Sequence, residues 1–97
     1  MQLIGIDAGG TKTVCLLDDE AGHVLAQARG GSANLQLVGR IEVERVLGEL
    51  VRSVLARTGR TPTASCVGIA GADRPEDADE VQSIMAGLGL ASPALVV

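Results

Sequence analysis

The stretch that decides the fold of this chain is GIDAGGTKT, which runs from Gly5 to Thr13. Apolar residues that alternate with a period of two precede its glycine pair, and a second apolar run follows the pair. The pattern predicts a strand, a tight turn and another strand. Adjacent glycines let the backbone come close to an anion, and such a turn can point amide donors at it. The stretch therefore predicts a phosphate-binding hairpin.

Polar side chains in the same hairpin strengthen this interpretation. The two threonines supply hydroxyls and Lys12 supplies a point charge. Asp7, at the end of the first strand, is placed to hold Mg²⁺ through water, since that ion keeps much of its hydration shell. A plain Gly-Gly turn with an incidental acid is the alternative, and the spacing is not that of a Walker A loop. The predicted cofactor-binding residues are Gly9, Gly10, Thr11, Lys12 and Thr13.

The rest of the chain continues in short elements. Strands are predicted over 2–7, 12–18, 23–29 and 64–70, and a fifth begins at Ala94. A long helix is predicted over 39–58, because apolar residues recur there at the three-and-four spacing of one helix face. A second helix is predicted from an N-cap at Asp73 to Gly89. The order β-β-β-α-β-α-β favours an α/β fold with a mixed sheet, in which the later strands run parallel to the first.

Composition excludes several classes of function. The 97 residues suffice for one domain, and there is no Phe, Tyr or Trp on which a nucleic-acid base could stack. The net charge of −4 disfavours DNA, RNA and anionic membranes as partners. No apolar stretch is long enough to span a bilayer, and no signal peptide is visible. Cys15 and Cys66 are interpreted as small core residues, or as an unremarkable pair of free thiols, in a reducing compartment, so a cytoplasmic protein is expected.

Two further stretches are candidate ligand sites. GGSAN, residues 30–34, ends in Asn34, whose amide could bind a sugar hydroxyl or an acetamido group. Taken alone, a helix-capping role is the simpler interpretation of that asparagine. GIAGAD, residues 68–73, follows the fourth strand, where open α/β sheets bind ligands. Gly71 could leave room for a ligand there, or it could simply permit the turn.

Together the three motifs resemble those of the BadF/BadG/BcrA/BcrD ATPase family, which includes the N-acetylglucosamine kinases. The element order resembles the ribonuclease-H-like fold shared by sugar kinases, actin and the heat-shock chaperones. The resemblance implies ATP and Mg²⁺ as cofactors and an amino sugar as substrate. It implies that Thr11 contacts the nucleotide phosphates and that Asn34, with Leu35, contacts the amino sugar. Together with Gly71 from the turn after the fourth strand, Asn34 and Leu35 are the candidate substrate-binding residues.

The resemblance also implies what is missing. In such kinases a catalytic Asp follows the strand that begins here at Ala94, and no residue of this chain is assigned that role because Val97 comes first. Residues 1–97 are accordingly expected to form a single N-terminal ATPase-like domain, cut off before that Asp and before the second domain. An isolated chain of this kind is expected to be inactive.

Two alternatives stay open, the first within the ATPases and the second from another class. One is an ATPase activator of a dehydratase, which would hold an iron–sulfur cluster by cysteines at a dimer interface. The other is a non-catalytic sugar-binding or structural module, with a possible homodimer formed through an open sheet edge. A sugar-responsive regulator would usually carry a basic DNA-binding helix pair before the phosphate motif, which here already begins at Asp7.

Overall fold

A computed structural model describes residues 2–59, 62–90 and 95–96. Three strands come first, then a long helix, a strand, a second helix and a short strand, in the predicted order. The elements are β1 Gln2–Ala8, β2 Thr13–Asp19, β3 Val24–Gly30, α1 Leu35–Thr58, β4 Ala64–Ile69, α2 Pro75–Gly87 and β5 Leu95–Val96. The outer residues of the predicted last strand, Ala94 and Val97, lie outside the described part of the chain.

The strands form a mixed sheet in the order β3-β2-β1-β4-β5. The first three are antiparallel neighbours, whereas β4 pairs in parallel with β1 and β5 pairs in parallel with β4. The predicted mixed sheet is thus confirmed. Ala8 at the end of β1 pairs with Ile69 at the end of β4, so the loops that follow these two strands leave the sheet side by side.

Alternation along the strands separates two faces of the sheet. Ile4 and Ile6 of β1, with Val67 of β4, are buried in one cluster with residues of both helices. On the opposite face, side chains that include Leu16 and Cys66 line a shallow apolar depression of about 370 Å³. In the described ranges, no helix combines the length and the apolar character needed to cross a membrane.

Helix α1 begins four residues before the predicted start at Gly39. Asn34 is its N-cap, and Gly39 interrupts it with a φ of 79° and a ψ of 168°, which is not helical. The sequence pattern detected only the regular part beyond this break. At the other end Gly59 adopts the left-handed conformation, with a φ of 66°, as a C-terminal glycine should.

Helix α2 corrects a prediction, because its N-cap is Arg74 and not Asp73. The backbone amide of Arg74 donates to Asp77 Oδ2 at 3.1 Å, and the Arg74 guanidinium lies 3.3 Å from Asp77 Oδ1. This hydrogen-bonded guanidinium keeps the pKa of Asp77 below its ordinary value. The acid at the third helical position therefore supplies the cap that was expected one residue before Arg74.

Candidate functional site

The hairpin between β1 and β2 is closed by one hydrogen bond, from the Gly9 amide to the Lys12 carbonyl at 2.8 Å. A Cβ on Gly9 would stand 3.0 Å from that carbonyl oxygen, which explains the preference for glycine. Gly10, Thr11 and Lys12 are exposed. Within the described chain, their three amides donate to no other residue. The tip of the hairpin thus offers consecutive backbone donors to solvent, as an anion site requires.

Asp7 lies on the face of the sheet opposite the helices. It pairs with Val14 of β2 and with Gly68 of β4, and it is exposed. Its carboxylate has no hydrogen-bond or ion-pair partner among the residues that the structure describes. An unpaired carboxylate at a strand end, next to free amides, fits a hydrated magnesium ion that also carries phosphate oxygens.

Thr13 is placed differently from the other hairpin residues. Its side chain is completely buried, and its hydroxyl donates to the Gly31 carbonyl at 2.8 Å. The hydroxyl therefore fastens the loop after β3 to the start of β2. The structure indicates a structural role for this group, in place of the ligand contact predicted for it.

The loop of residues 30–34 is joined to the hairpin by its backbone. The carbonyl of Gly9 accepts from the Ala33 amide at 3.3 Å and from the Ser32 hydroxyl at 3.4 Å. The loop continues directly into α1, where the Leu35 amide donates to the Ala70 carbonyl at 3.0 Å. The Ala70 amide in turn donates to the Ala8 carbonyl at 2.8 Å. The three motifs singled out in the sequence thus meet at one edge of the sheet.

Asn34 caps α1 with its side chain. Its Oδ1 accepts from the Gln36 amide at 3.0 Å and from the Leu37 amide at 3.1 Å. The Val38 amide donates to the Asn34 carbonyl, and the Leu35 amide is already bound to Ala70. All four amides that begin the helix are therefore occupied, so this helix end offers no free donors to a phosphate. Anion binding is left to the hairpin tip.

The turn at Gly71 packs onto the start of α1. Gly71 has a φ of 84°, and a Cβ there would overlap the Asn34 amide oxygen. Its carbonyl accepts from Gln36 Nε2 at 3.0 Å. Glycine is thus required both for the backbone conformation and for the close approach of Asn34.

Leu35, the other candidate sugar contact, has a side chain that is only 7% exposed and belongs to the core. Its contribution to the site is its amide, which joins α1 to the turn after β4. Gln36 was not predicted as a site residue. No local pattern identifies its partner, because Gly71 lies 35 positions further along the chain.

The cysteines do not support an iron–sulfur cluster. Cys15 is fully buried and pairs with Ile6, on the helix-covered face of the sheet, whereas Cys66 pairs with Gly5 and lines the opposite face. Two thiols on opposite faces cannot hold one metal centre. Among the described residues, no three His, Cys, Asp or Glu side chains are clustered as metal ligands.

This chain is similar to two proteins named as amino-sugar kinases. An N-acetylmuramic acid/N-acetylglucosamine kinase of Clostridium acetobutylicum is 36% identical over 98% of this chain, and the match covers 32% of that protein. An N-acetyl-D-glucosamine kinase of Dictyostelium discoideum is 31% identical over 76% of this chain and 26% of its own length. The chain therefore spans about a third of the length of its curated relatives.

Solved structures show the same fold. A Chromobacterium violaceum protein assigned as an N-acetylglucosamine kinase superposes with a TM-score of 0.72 at 27% identity, over 97% of this chain and 34% of its own. An ethanolamine utilization protein of Carboxydothermus hydrogenoformans superposes with a TM-score of 0.77 at 22% identity, over 99% of this chain and 36% of its own. This likeness concerns the fold alone. The predicted ribonuclease-H-like, actin-like ATPase fold is confirmed.

The model of one protein family covers nearly the whole chain. It matches residues 4–92, which include the hairpin, the loop ending at Asn34 and the turn at Gly71. The chain belongs to the BadF/BadG/BcrA/BcrD ATPase family.

Proposed function

We propose that this chain is the phosphate- and sugar-binding N-terminal part of an ATP-dependent amino-sugar kinase. The observation that carries the proposal is the backbone-bonded junction of three motifs at one sheet edge. The Gly9 carbonyl joins the hairpin to the loop of residues 30–34, and the Ala70 carbonyl joins the turn at Gly71 to α1. This junction brings together free amides at the hairpin tip, an unpaired carboxylate near the end of β1 and the polar amide of Asn34.

The nucleotide side of the site consists of Asp7 and the hairpin tip. The amides of Gly10, Thr11 and Lys12 would bind phosphate oxygens, and the exposed Lys12 would add a charge that has no ion pair in the described chain. Asp7 would hold Mg²⁺ through water. The bound ion would neutralise charge that develops on the phosphates during transfer. These residues fit ATP and Mg²⁺, because each presents a hydrogen-bond donor or a carboxylate that has no partner within the described part of the protein.

The sugar side is formed by Asn34 and the turn that contains Gly71. Asn34 Nδ2 has no acceptor among the described residues, so it is available to a ligand oxygen. Relatives named for N-acetylglucosamine and N-acetylmuramic acid support a substrate of the amino-sugar class. The side chain of Leu35 belongs to the core and is assigned no sugar contact.

The general base of the transfer is not assigned to this chain. The Asp77 carboxylate is bound at the start of α2 by the amide and guanidinium of Arg74, and Asp7 is assigned to the metal. Because relatives of the family are about three times as long, we propose that residues 1–97 are one N-terminal domain of a longer enzyme. Residues outside 1–97 would supply the base and the remaining nucleotide contacts. We further propose that this enzyme acts in the cytoplasm.

The test is an assay of ADP formation by the full-length protein with Mg-ATP. The panel contains N-acetylglucosamine, N-acetylmuramic acid, glucosamine, glucose and a control without sugar. We expect ADP formation that depends on an amino sugar, with a matching amount of sugar phosphate, and no turnover by the 97-residue chain alone. ADP release that is independent of every sugar would contradict kinase function. Turnover by the isolated chain would contradict the assignment of the base to residues outside 1–97.

A further inference from the structure

The amide group of Asn34 is held in one orientation by the protein. Its oxygen accepts two backbone hydrogen bonds, from Gln36 at 3.0 Å and from Leu37 at 3.1 Å. Turning the amide over would put its NH₂ group against these two amide donors and would leave both of them without an acceptor. The oxygen is therefore committed to the helix, and the NH₂ group is the part of this side chain that a ligand can use.

The turn after β4 restricts the same amide from a second side. A Cβ on Gly71 would stand 2.9 Å from the Gln36 amide and 3.1 Å from Asn34 Cγ, so the bare glycine backbone lies directly against the cap. Gln36 Nε2 donates to the Gly71 carbonyl at 3.0 Å. Gln36 thus contacts both Asn34 and the Gly71 turn, because its backbone amide donates to Asn34 while its side chain donates to Gly71.

We propose that Gln36 is a positioning residue that holds the Gly71 turn against Asn34, so that Asn34 presents only its Nδ2 donor to the sugar. This inference rests on the proposed kinase function. It differs from the expectation that the Asn34 amide serves a ligand as both donor and acceptor. The sugar must then supply an acceptor oxygen, either a hydroxyl or an acetamido carbonyl, at the position that Asn34 faces.

One substitution separates the capping role of Asn34 from its donor role. Asn34→Asp keeps an oxygen for the Gln36 and Leu37 amides, and aspartate is as good an N-cap as asparagine. It replaces the donor by a second acceptor, which repels an acetamido carbonyl and binds a hydroxyl only if that hydroxyl turns to donate its proton. In the full-length enzyme we expect Asn34→Asp to raise the sugar KM at least about tenfold, with the ATP KM within about twofold and an unchanged melting temperature. Asn34→Ala should raise the sugar KM and also lower the melting temperature.

A charged pair of variants tests Gln36. Gln36→Glu has the same size but turns an acceptor toward the Gly71 carbonyl, while an acid in the first turn still favours the helix. Gln36→Lys keeps a donor at similar reach. We expect Gln36→Glu to raise the sugar KM about fivefold to tenfold without changing the ATP KM. Gln36→Lys, which keeps a donor, should have a sugar KM much closer to that of the wild type.

The outcomes separate this inference from the function on which it rests. If the wild-type enzyme phosphorylates no amino sugar, the kinase function and the inference are both overturned. If the wild-type enzyme is active but Asn34→Asp leaves the sugar KM unchanged, the donor role alone is overturned. If Gln36→Glu leaves the sugar KM unchanged, or if it raises the sugar and ATP KM values equally, Gln36 has no positioning role.

Discussion

The amide oxygen of Asn34 occupies the space in which a side chain on Gly71 would have to begin. The two residues lie on different loops, and Gly71 is held there by a left-handed backbone conformation and by the hydrogen bond from Gln36 to its carbonyl. Their contact joins the start of α1 to the turn after β4. The arrangement of the two loops at the site therefore depends on this contact, whichever ligand the site binds.

Replacing Gly71 should destabilise the protein more than replacing any comparable glycine. Gly71→Ala combines the left-handed conformation, which costs about 1–2 kcal/mol, with overlap against Asn34 and the Gln36 amide. We expect the free energy of unfolding to fall by about 2–4 kcal/mol in urea denaturation.

Two other glycines serve as controls for this prediction. Gly22 has a φ of 85° but open space at the Cβ position, so Gly22→Ala should cost only the conformational part, about 1–2 kcal/mol. Gly31 has neither feature, and Gly31→Ala should stay within about 0.5 kcal/mol of the wild type. Equal losses for Gly71→Ala and Gly22→Ala would show that the contact with Asn34 contributes nothing.

The two threonines of the hairpin should behave in opposite ways. Thr13→Val leaves the part-buried Gly31 carbonyl without its donor, so the free energy of unfolding should fall by about 1–3 kcal/mol. Thr11 is exposed, so Thr11→Val should leave stability within about 0.5 kcal/mol of the wild type. In kinetic assays of the full-length enzyme, Thr11→Val should instead raise the ATP KM. A stability loss confined to Thr11→Val would contradict both the structural role of Thr13 and the phosphate-binding role of Thr11.

The cap of α2 should make stability depend on pH in the acid range. The Arg74 guanidinium, hydrogen-bonded to Asp77, lowers the pKa of this carboxyl in the folded state. The carboxylate therefore stays ionised to a lower pH in the folded state than in the unfolded state. Its stabilising effect is present above the ordinary aspartate pKa of about 4 and is lost as the pH falls through the lower folded value. Asp77→Asn should therefore have a lower melting temperature than the wild type at pH 7, and the difference between the two melting temperatures should shrink toward pH 3.

The exposed Asp79 gives the matched control for that measurement. It lies on the same helix and has no ion pair among the described residues, so Asp79→Asn should leave the melting temperature almost unchanged at both pH values. A gap between the wild type and Asp77→Asn that stayed constant from pH 7 to pH 3 would contradict an ionic contribution to the cap.

The two thiols should differ in reactivity. Burial raises the pKa of the Cys15 thiol to about 11, so at pH 8 only about one molecule in a thousand is a thiolate, and the side chain is also inaccessible. Cys66 is partly exposed on the open face of the sheet. Iodoacetamide should modify one thiol quickly, and Cys66→Ser should abolish that reaction while Cys15→Ser preserves it. Equal reaction rates for the two variants would contradict the placement of Cys15 in the core.

Most of the fold could be predicted from the sequence because alternation and helical periodicity are local properties. The start of α1 could not, since Gly39 breaks the helical conformation after the first turn and the apolar repeat begins only beyond it. The cap of α2 was placed on Asp73, because an acid followed by a proline in the first turn and by Glu76 three residues on is typical of a helix start. The carboxylate of Asp77 performs that role from inside the helix.

The site was predictable to the extent that its residues are consecutive. The hairpin tip, with its free amides at Gly10 and Thr11, follows from the glycine pair and its flanking strands. The buried hydroxyl of Thr13 and the bond between Gln36 and Gly71 depend on which loops become neighbours in three dimensions. Sequence spacing carries no information about such contacts until the strand order is known.

We propose that this chain binds the phosphates and metal of ATP for transfer to an amino sugar. The most direct measurement is the steady-state kinetics of Asp7→Asn in the full-length protein, with Asp79→Asn as the control. Asp7 has no protein partner in the described chain, so its replacement should leave the fold intact. We predict a kcat at least about 100-fold lower, with the N-acetylglucosamine KM within about twofold of the wild type. A kcat near the wild-type value would contradict the assignment of Asp7 to the metal of ATP.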